Sequence, residues 1–356
     1  MGFKCGIVGL PNVGKSTLFN AITQTQNAEA ANYSFCTIEP NIGRVAVPDQ
    51  RLENLSQIAQ SKKIIYNQLE VVDIAGLVKG ASKGEGRGNQ FLSNIREVDA
   101  IIHVLRCFED DNIEHVNSKI DPMGDAELID MELILADMQS IEKRLEKSRK
   151  LDPNLKKTLE EVLPVLENGQ PARSISHIDD HQLNGLQLIT TKPVLYVCNV
   201  EETVVTTGNN FTDLVNKGIA DNNAIIISAK IEEEIANLSD DPEEKLAFLH
   251  DIGLKESGLS LLVKGGYSLL DLITFFTAGP QEARAWSVRS NAYAPQAAGV
   301  IHTDFEKGFI KADVISYEDY IQYQGESGCR DAGKIRLEGK DYIVQDGDVM
   351  HFKFRT

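Results

Sequence analysis

The chain has 356 residues, of which 42% are hydrophobic, and its 53 acidic residues outnumber 36 basic ones, so the formal net charge is −17. This length predicts two or three domains with real cores, and no run approaches the ~18 apolar residues of a membrane-spanning helix. A surface with this much negative charge repels nucleic acid, except at local basic patches. The five cysteines are scattered and form no C-x-x-C pair, which argues against a zinc site and predicts a cytoplasmic protein.

The first motif is a glycine loop between a strand and a helix. Residues 3–9 form a short apolar run that predicts a buried strand, and residues 17–23 predict a helix. The segment between them reads GLPNVGKST, a complete G-x-x-x-x-G-K-S-T phosphate-binding loop in the setting that the motif requires. Ser16 is also expected to ligate Mg²⁺. The expected phosphate-binding residues are Asn12, Val13, Gly14, Lys15, Ser16 and Thr17.

A D-x-x-G motif follows a predicted strand over residues 67–73. In P-loop proteins the Asp holds Mg²⁺ through a water and the Gly N–H meets the γ-phosphate, which gives these roles to Asp73 and Gly76. Thr37 lies between the two motifs, where a Thr can reach Mg²⁺ and sense the γ-phosphate. The glycine-rich residues 77–89 predict a switch loop that becomes ordered when the γ-phosphate is present.

The residue after this motif leaves the catalytic group open. Leu77 stands where Ras-type GTPases have a water-orienting Gln, so the attacking water needs another partner. His115 is the first candidate, because it lies in the loop after the predicted strand 100–105, and such loops open on the ligand side of the sheet. A K⁺ ion held by Asn12 is the rival, and a solvated loop histidine is the other interpretation of His115. His103, inside the strand, is predicted to be a core histidine.

The base-reading motif departs from that of guanine-specific proteins. The predicted strand 194–198 is followed by Asn199-Val200-Glu201-Glu202, where GTPases carry N-K-x-D. Glu202 is longer than the Asp that pairs with guanine, so ATP is expected to bind more tightly than GTP. Asn199 can still form hydrogen bonds with the exocyclic amine and N7 of adenine. Together with the S-A-K loop after the predicted strand 224–227, the expected base-binding residues are Asn199, Val200, Glu202, Ser228, Ala229 and Lys230.

A helical arm is predicted between the two parts of the nucleotide domain. Residues 125–150 predict a long helix with apolar residues near heptad spacing: Leu128, Met131, Leu135, Met138 and Leu145. A second, antiparallel helix follows, with Leu155, Leu159, Val162, Leu163 and Leu166 on its apolar face. The tip between them is basic and is either a solvated helix end or a contact for ribosomal RNA or another acidic partner. Its basic residues are Lys143, Arg144, Lys147, Arg149, Lys150, Lys156 and Lys157.

The last part of the chain predicts a small mixed sheet with few helices. The predicted strands are residues 285–288, 299–302, 310–314, 342–344 and 349–354. His302, Asp304 and Glu306 would then share one strand face, which we interpret as a polar surface that faces a partner rather than a metal site.

These motifs resemble the YchF or Obg-like ATPase family, a branch of the Obg-related translation-factor GTPases, over essentially the whole chain. The matching segments are residues 6–17, 36–41, 73–81, 199–202, 295–299, 302–310 and 338–342. The resemblance implies an ATP preference within a GTPase fold, a helical arm, a C-terminal TGS domain, and His115 at the position of the family's proposed catalytic histidine. Ser34 and Arg87 depart from the family pattern, which usually has Pro and Leu there.

The sequence therefore predicts an α/β P-loop NTPase (G-protein-like) domain over residues 1–124 and 191–277. An inserted α-helical coiled-coil arm is predicted over 125–190 and a β-grasp TGS domain over 278–356. The predicted function is an ATP-hydrolysing regulatory switch that uses Mg²⁺, with K⁺ as a further candidate cofactor, and couples its nucleotide state to the ribosome or RNA. The alternatives are an Obg-type GTPase and a nucleotide-gated binding module with negligible hydrolysis.

Overall fold

The computed structural model describes residues 3–32, 41–74, 87–110, 119–146, 152–219, 224–238 and 241–355. Its strands are β1 Lys4–Val8, β2 Ile42–Val47, β3 Ile64–Ile65, β4 Asn67–Asp73, β5 Ala100–Arg106, β6 Val194–Asn199, β7 Ala224–Ile227, β8 Leu272–Ala278, β9 Ala283–Arg289, β10 Phe309–Ile315, β11 Arg336–Glu338 and β12 Val349–Phe354. Its α-helices are α1 Lys15–Asn32, α2 Gln50–Ala59, α3 Arg87–Arg96, α4 Pro122–Glu146, α5 Pro153–Glu167, α6 Asp180–Gly185, α7 Asn210–Gly218, α8 Ala229–Asn237, α9 Pro242–Asp251, α10 Gly258–Leu269, α11 Ala294–Ile301, α12 Thr303–Lys307, α13 Tyr317–Gln322 and α14 Glu326–Asp331. Across these ranges, no helix has both the length and the apolar character that a bilayer crossing needs.

The larger of two compact units contains residues 3–45 and 70–269 and is built on a sheet of order β2-β4-β1-β5-β6-β7. The strands β4, β1, β5, β6 and β7 run parallel to one another. Every residue of β5 is buried, as expected for a parallel strand with helices on both sides. The predicted strands that carry the motifs are confirmed as β1, β4, β5, β6 and β7, and the α/β P-loop fold is confirmed with them. Because the carboxyl ends of parallel strands meet at one edge, the loops after these strands share that edge.

Helices α4 and α5 confirm the two predicted helices of the arm, and the turn between them lies outside the described residues. The Asp152 side chain caps α5 by accepting the Asn154 and Leu155 N–H groups, and Pro153 occupies the first helical position. The two helices share a buried apolar cluster that includes Ile134, Ile141, Leu159, Val162 and Leu166.

The predicted heptad face of α4 is partly wrong. Met131 and Leu135 are 46% and 38% exposed, whereas Ile129, Leu133 and Ile141 are buried. The reason is that α4 packs against β5 and a short 3₁₀ helix as well as against α5, so its buried face is wider and rotated relative to a two-helix seam. A heptad count assumes a single partner helix and therefore selects the wrong stripe.

The smaller unit contains residues 46–69 and 270–355 and is built on a sheet of order β11-β10-β12-β8-β9-β3. The sheet is mixed: β8–β9, β10–β12 and β10–β11 are antiparallel, whereas β12–β8 and β3–β9 are parallel. One apolar cluster joins the sheet to α11, and a second joins it to α2. The predicted domain limits at residues 125, 190 and 278 stay predictions.

Two predicted C-terminal strands are wrong. Residues 299–301 end the helix α11, which begins with Pro295 in its first turn and a Gln296 side chain that accepts the Tyr293 N–H at 2.7 Å. Residues 342–344 contribute only an isolated bridge from Ile343 to Tyr293. The expectation of few helices is also wrong, since α11 to α14 lie in this region.

The polar trio therefore lies on a helix start rather than on a strand face. His302 is the N-cap of α12, and its Nδ1 accepts the Asp304 N–H at 3.1 Å. Asp304 and Glu306 lie within the five residues of α12. Since the imidazole is used as a helix cap, the three side chains do not form the shared face that the sequence predicted.

Candidate nucleotide-binding site

The glycine loop adopts the backbone that a phosphate cradle needs. It turns between β1 and α1 with positive φ at Gly9 (+154°), Asn12 (+63°) and Gly14 (+98°). A Cβ on Gly9 would lie 2.5 Å from the Val104 carbonyl oxygen of the neighbouring strand, so only glycine fits that position. The loop leads directly into the N-terminus of α1, whose free N–H groups and dipole favour an anion.

Lys15 is the cation of this loop and is already largely removed from solvent. Its side chain is 8% exposed, and Nζ donates to the Leu10 carbonyl at 2.6 Å. Burial lowers the pKa of Lys15 to about 8, and the nearby Asp73 carboxylate partly opposes that shift. A bound triphosphate would place full negative charges where Lys15 now contacts the Leu10 carbonyl, which favours the ammonium form.

The ligand-free pKa of Lys15 has a measurable consequence. We expect ATP binding at pH 8 to take up about half a proton, because Lys15 is then about half neutral before binding and fully charged after it. Calorimetric titrations at pH 8 and pH 7 in two buffers of different ionisation enthalpy measure this uptake, which should be about fivefold smaller at pH 7, where Lys15 is mostly charged before binding. Lys15→Arg is the control, since an arginine stays protonated and its binding heat should be the same in both buffers. Equal heats for the parent at pH 8 would contradict the assignment.

The predicted Mg²⁺ ligands are placed on two elements that meet at this edge. Asp73 ends β4, where burial raises the pKa of its carboxyl group and Lys15 opposes the shift. Ser16 is exposed in the first turn of α1. One carboxylate and one hydroxyl are hard oxygen donors that suit Mg²⁺, which keeps several waters and phosphate oxygens as its other ligands. Among the residues that the structure describes, no group of three His, Cys, Asp or Glu side chains is placed to hold a metal ion.

Asn199 connects the phosphate loop to the loop after β7. Its Nδ2 donates to the Val13 carbonyl at 2.9 Å, and its Oδ1 accepts the Ala229 N–H at 2.9 Å. The side chain is 5% exposed, so these bonds are made in a largely dry environment. Val200, the next residue, is buried and its N–H donates to the Ile227 carbonyl. Asn199 thereby fixes the distance between the phosphate and base regions, a role the sequence prediction of direct base reading did not include.

The remaining base-region residues are split between a buried and an exposed group. Ser228 is 1% exposed and its hydroxyl has no hydrogen-bond partner among the described residues. Lys230 and Glu202 are 67% and 38% exposed, and their side chains form an ion pair. The pair lowers the pKa of Glu202, with the hydrogen bond from Lys230 as the largest cause. The carboxylate that stands in place of the guanine-reading Asp is therefore charged and already engaged.

Arg106 is a buried residue at this edge that the sequence analysis did not select. It ends β5 at 2% exposure, and its guanidinium donates to the carbonyl groups of Phe108 and Asp110 at 3.2 and 3.3 Å. The same group lies over the Phe108 ring at 4.7 Å from its centroid. The sequence feature that could have identified Arg106 is its position as a charged residue at the end of an otherwise mostly apolar strand. Arg106 shapes the start of the loop that leads toward His115.

The histidine inside β5 is confirmed as a core residue. His103 is 2% exposed and stacks on Tyr196 of β6 at 5.6 Å between ring centroids. Burial lowers the pKa of His103 to about 4, so the ring is neutral at physiological pH. Thr37, Gly76 and His115, the other predicted site residues, lie outside the described residues, as do Ser34 and Leu77.

Comparisons with known proteins agree with this architecture. A family model described as a 50S ribosome-binding GTPase matches residues 4–137, and the YchF GTPase C-terminal model, described as a protein of unknown function, matches residues 272–355. The chain is 54% identical to the Ribosome-binding ATPase YchF of Haemophilus ducreyi and 52% identical to that of Bacillus subtilis, each over 100% of both chains.

Two solved structures are similar over the whole chain. The structure of the Schizosaccharomyces pombe YchF GTPase has a TM-score of 0.86 and 39% identity, covering 99% of this chain and 98% of that one. A GTP binding protein from Pyrococcus horikoshii OT3 has a TM-score of 0.61 and 18% identity, covering 99% and 100%, and shares the fold.

Proposed function

The chain belongs to the YchF family, and from that premise we propose that it is an ATP-hydrolysing switch whose nucleotide state governs ribosome binding. The observation that carries the proposal is the base edge: Asn199 ties the phosphate loop to the S-A-K loop, and Glu202 occupies the position of the guanine-reading Asp. A triphosphate site in which a longer, ion-paired carboxylate replaces the guanine-reading Asp favours ATP.

The phosphates are proposed to bind to the backbone N–H groups of residues 12–17 and to Lys15. Mg²⁺ is proposed to be held by Ser16, Thr37 and, through a water, Asp73, where it would neutralise charge on the β- and γ-phosphates. The Gly76 N–H is assigned to the γ-phosphate, and residues 77–89 are proposed as the segment that reports the nucleotide state. When the triphosphate binds, the Lys15 ammonium group would exchange the Leu10 carbonyl for phosphate oxygens.

An Obg-type GTPase is the second candidate, because one matching model and the fission-yeast relative are both described as GTPases. Its guanine pocket needs a free carboxylate for N1–H and N2–H₂, and here Glu202 is engaged by Lys230. A nucleotide-gated module with negligible hydrolysis is the third candidate, and a measurement of ATP turnover distinguishes it from the other two. The affinities for ATP and GTP therefore decide between the first two candidates.

We expect ATP to bind this protein more tightly than GTP, as measured by calorimetric titration of both nucleotides and of ADP and GDP. Replacing Val200-Glu201-Glu202 by Lys-Glu-Asp should move the preference toward guanine, because it restores the acceptor of the N-K-x-D motif. Equal or tighter GTP binding by the parent protein would reject the ATPase proposal in favour of the GTPase.

His115 is proposed to orient the attacking water in place of the missing Gln. His115→Ala should lower ATP turnover at least about tenfold, since a positioned general base typically contributes ~10²–10⁴-fold. ATP affinity should stay nearly unchanged. His177→Ala, which removes an exposed histidine of the arm, is the matched control and should hydrolyse ATP at the parent rate.

A K⁺ ion held by Asn12 is the rival source of catalysis, acting as a fixed charge on the developing phosphate oxygens. Replacing K⁺ by Na⁺ in the same turnover assay tests it separately. If His115→Ala keeps the parent rate and K⁺ strongly stimulates both proteins, the cation replaces the histidine in the mechanism. Turnover absent from the parent under all these conditions would favour the non-hydrolysing module.

The proposed partner is the ribosome or its RNA, in the cytoplasm. The arm tip offers less free positive charge than its sequence suggests, because Lys156 and Lys157 pair with the glutamates four residues further on. Arg144 donates to the Leu186 carbonyl at 2.6 Å, which leaves Lys143 as an exposed cation of the described part of the tip. We assign residues 278–356 to a TGS domain of β-grasp type, supported by a mixed sheet with α11 packed on it.

A further inference from the structure

Three loops meet at the base edge of the candidate site. Glu202 begins a short 3₁₀ helix after β6, and Lys230 lies in the first turn of α8 after β7. The loop after β5 reaches the same place, because the Glu109 N–H donates to the Glu201 carboxylate at 3.1 Å. The chain therefore has two consecutive glutamates at this edge, one bound by a backbone N–H and the other by a lysine.

Lys230 lies within an acidic environment that favours its charged form. Its ammonium group pairs with Glu202, and Asp110 and Glu234 add further negative charge nearby. The pairing raises the pKa of Lys230 and lowers that of Glu202, so both partners are ionised at neutral pH. The ion pair is thus the resting state of this edge before a base arrives.

Guanine presents two adjacent donors, N1–H and N2–H₂, to a carboxylate, whereas adenine presents neither of them in that arrangement. A carboxylate reads guanine only when its oxygens are free to accept both donors. An ion-paired carboxylate first has to give up its partner, and the lysine left behind loses a favourable contact. The cost falls on guanine and not on adenine.

We propose that Lys230 determines base specificity by holding the Glu202 carboxylate in an ion pair and so withholding it from guanine. The inference rests on the proposed ATP-binding site and adds to it a residue that acts by exclusion. It differs from the geometric argument about the length of Glu202, because it assigns part of the discrimination to a removable charge. Lys230 is accordingly a positioning residue, acting through Glu202.

The test is the ratio of the GTP and ATP dissociation constants, measured by calorimetric titration with non-hydrolysable analogues. This ratio cancels the phosphate contacts, which both nucleotides share. In Lys230→Gln the ratio should fall by about twofold to fivefold through tighter GTP binding, the range expected for one exposed ion pair. Lys230→Arg, which restores the cation, should keep the parent ratio.

Two further variants identify the route of the effect. In Lys230→Gln combined with Glu202→Gln the gain in GTP affinity should disappear, because no carboxylate is released. Lys264→Gln is the matched control: Lys264 pairs with Glu256 at 2.6 Å and is 68% exposed, against 67% for Lys230. It should leave the ratio at the parent value.

Each outcome separates this inference from the proposed function. If the parent prefers ATP but Lys230→Gln leaves the ratio unchanged, or the double variant keeps the gain, the inference is overturned and the ATP site stands. If the parent prefers GTP, the proposed function fails first. Raising the salt from about 0.05 M to about 0.5 M should lower the parent ratio toward that of Lys230→Gln, because an exposed ion pair is screened.

Discussion

Replacing Lys15 by alanine is expected to abolish detectable triphosphate binding, a loss of at least about 100-fold in affinity. The physical reason is the loss of the P-loop ammonium group, whose charge-assisted hydrogen bonds to phosphate are worth about 1.5–3 kcal/mol each. This ammonium group is buried and donates to the Leu10 carbonyl at 2.6 Å, a neutral partner that phosphate oxygens would replace. Calorimetric titration with ATP measures the effect.

Lys192→Ala is the matched control. Lys192 is also partly buried, donates to the Arg96 carbonyl at 3.2 Å, and has a pKa lowered by burial. It lies before β6, at the opposite end of that strand from Asn199, so it should alter stability without altering ATP affinity. ATP binding by Lys15→Ala at the parent affinity would reject the phosphate site altogether.

The positions of the motifs in the fold could be predicted where they depend on local chain geometry. The glycine loop joins β1 to α1 within a few residues, so spacing alone places Gly14 and Lys15 between the end of a strand and the start of a helix. The parallel strands could be predicted for the same reason, since each is a short apolar run. Asp73 and Asn199 reach the same edge because parallel strands carry their ends there, and that needed only the fold class.

The parts that could not be predicted depend on distant partners. The Asn199 side chain bonds to residues 186 positions before it and 30 positions after it, so no local pattern reveals that it is a brace. The burial of α4 depends on β5 and on the 3₁₀ helix Ile189–Thr191, which heptad spacing does not encode. The predicted strand 299–302 is replaced by the end of a helix, because Pro295 and the alanines that precede residue 299 start α11, which continues through Ile301.

The second large effect is expected at Asp137, which anchors the middle of α4. Asp137 is completely buried, and its carboxylate accepts the Ile189 N–H at 3.0 Å, the Thr190 N–H at 2.7 Å and the Thr190 hydroxyl at 2.7 Å. These bonds tie the helix to the 3₁₀ helix Ile189–Thr191, immediately before β6. Burial raises the pKa of Asp137, and the three donors oppose that shift.

Asp137→Ala should therefore lower the free energy of unfolding by about 3 kcal/mol, because three buried donors lose their acceptor and a cavity replaces the carboxylate. Urea denaturation measures the loss. The control is Glu142→Ala, which removes an exposed acidic side chain of the same helix and should change the free energy of unfolding by less than about 0.5 kcal/mol.

Hydrogen exchange distinguishes two ways of losing this stability. If α4 detaches locally, protection falls in α4 and α5 while ATP still binds, because the phosphate loop is braced independently by Asn199. If protection in β5 and β6 falls equally, the helix and the nucleotide sheet unfold together. A change in unfolding free energy below about 1 kcal/mol would show that the three bonds are readily replaced by water.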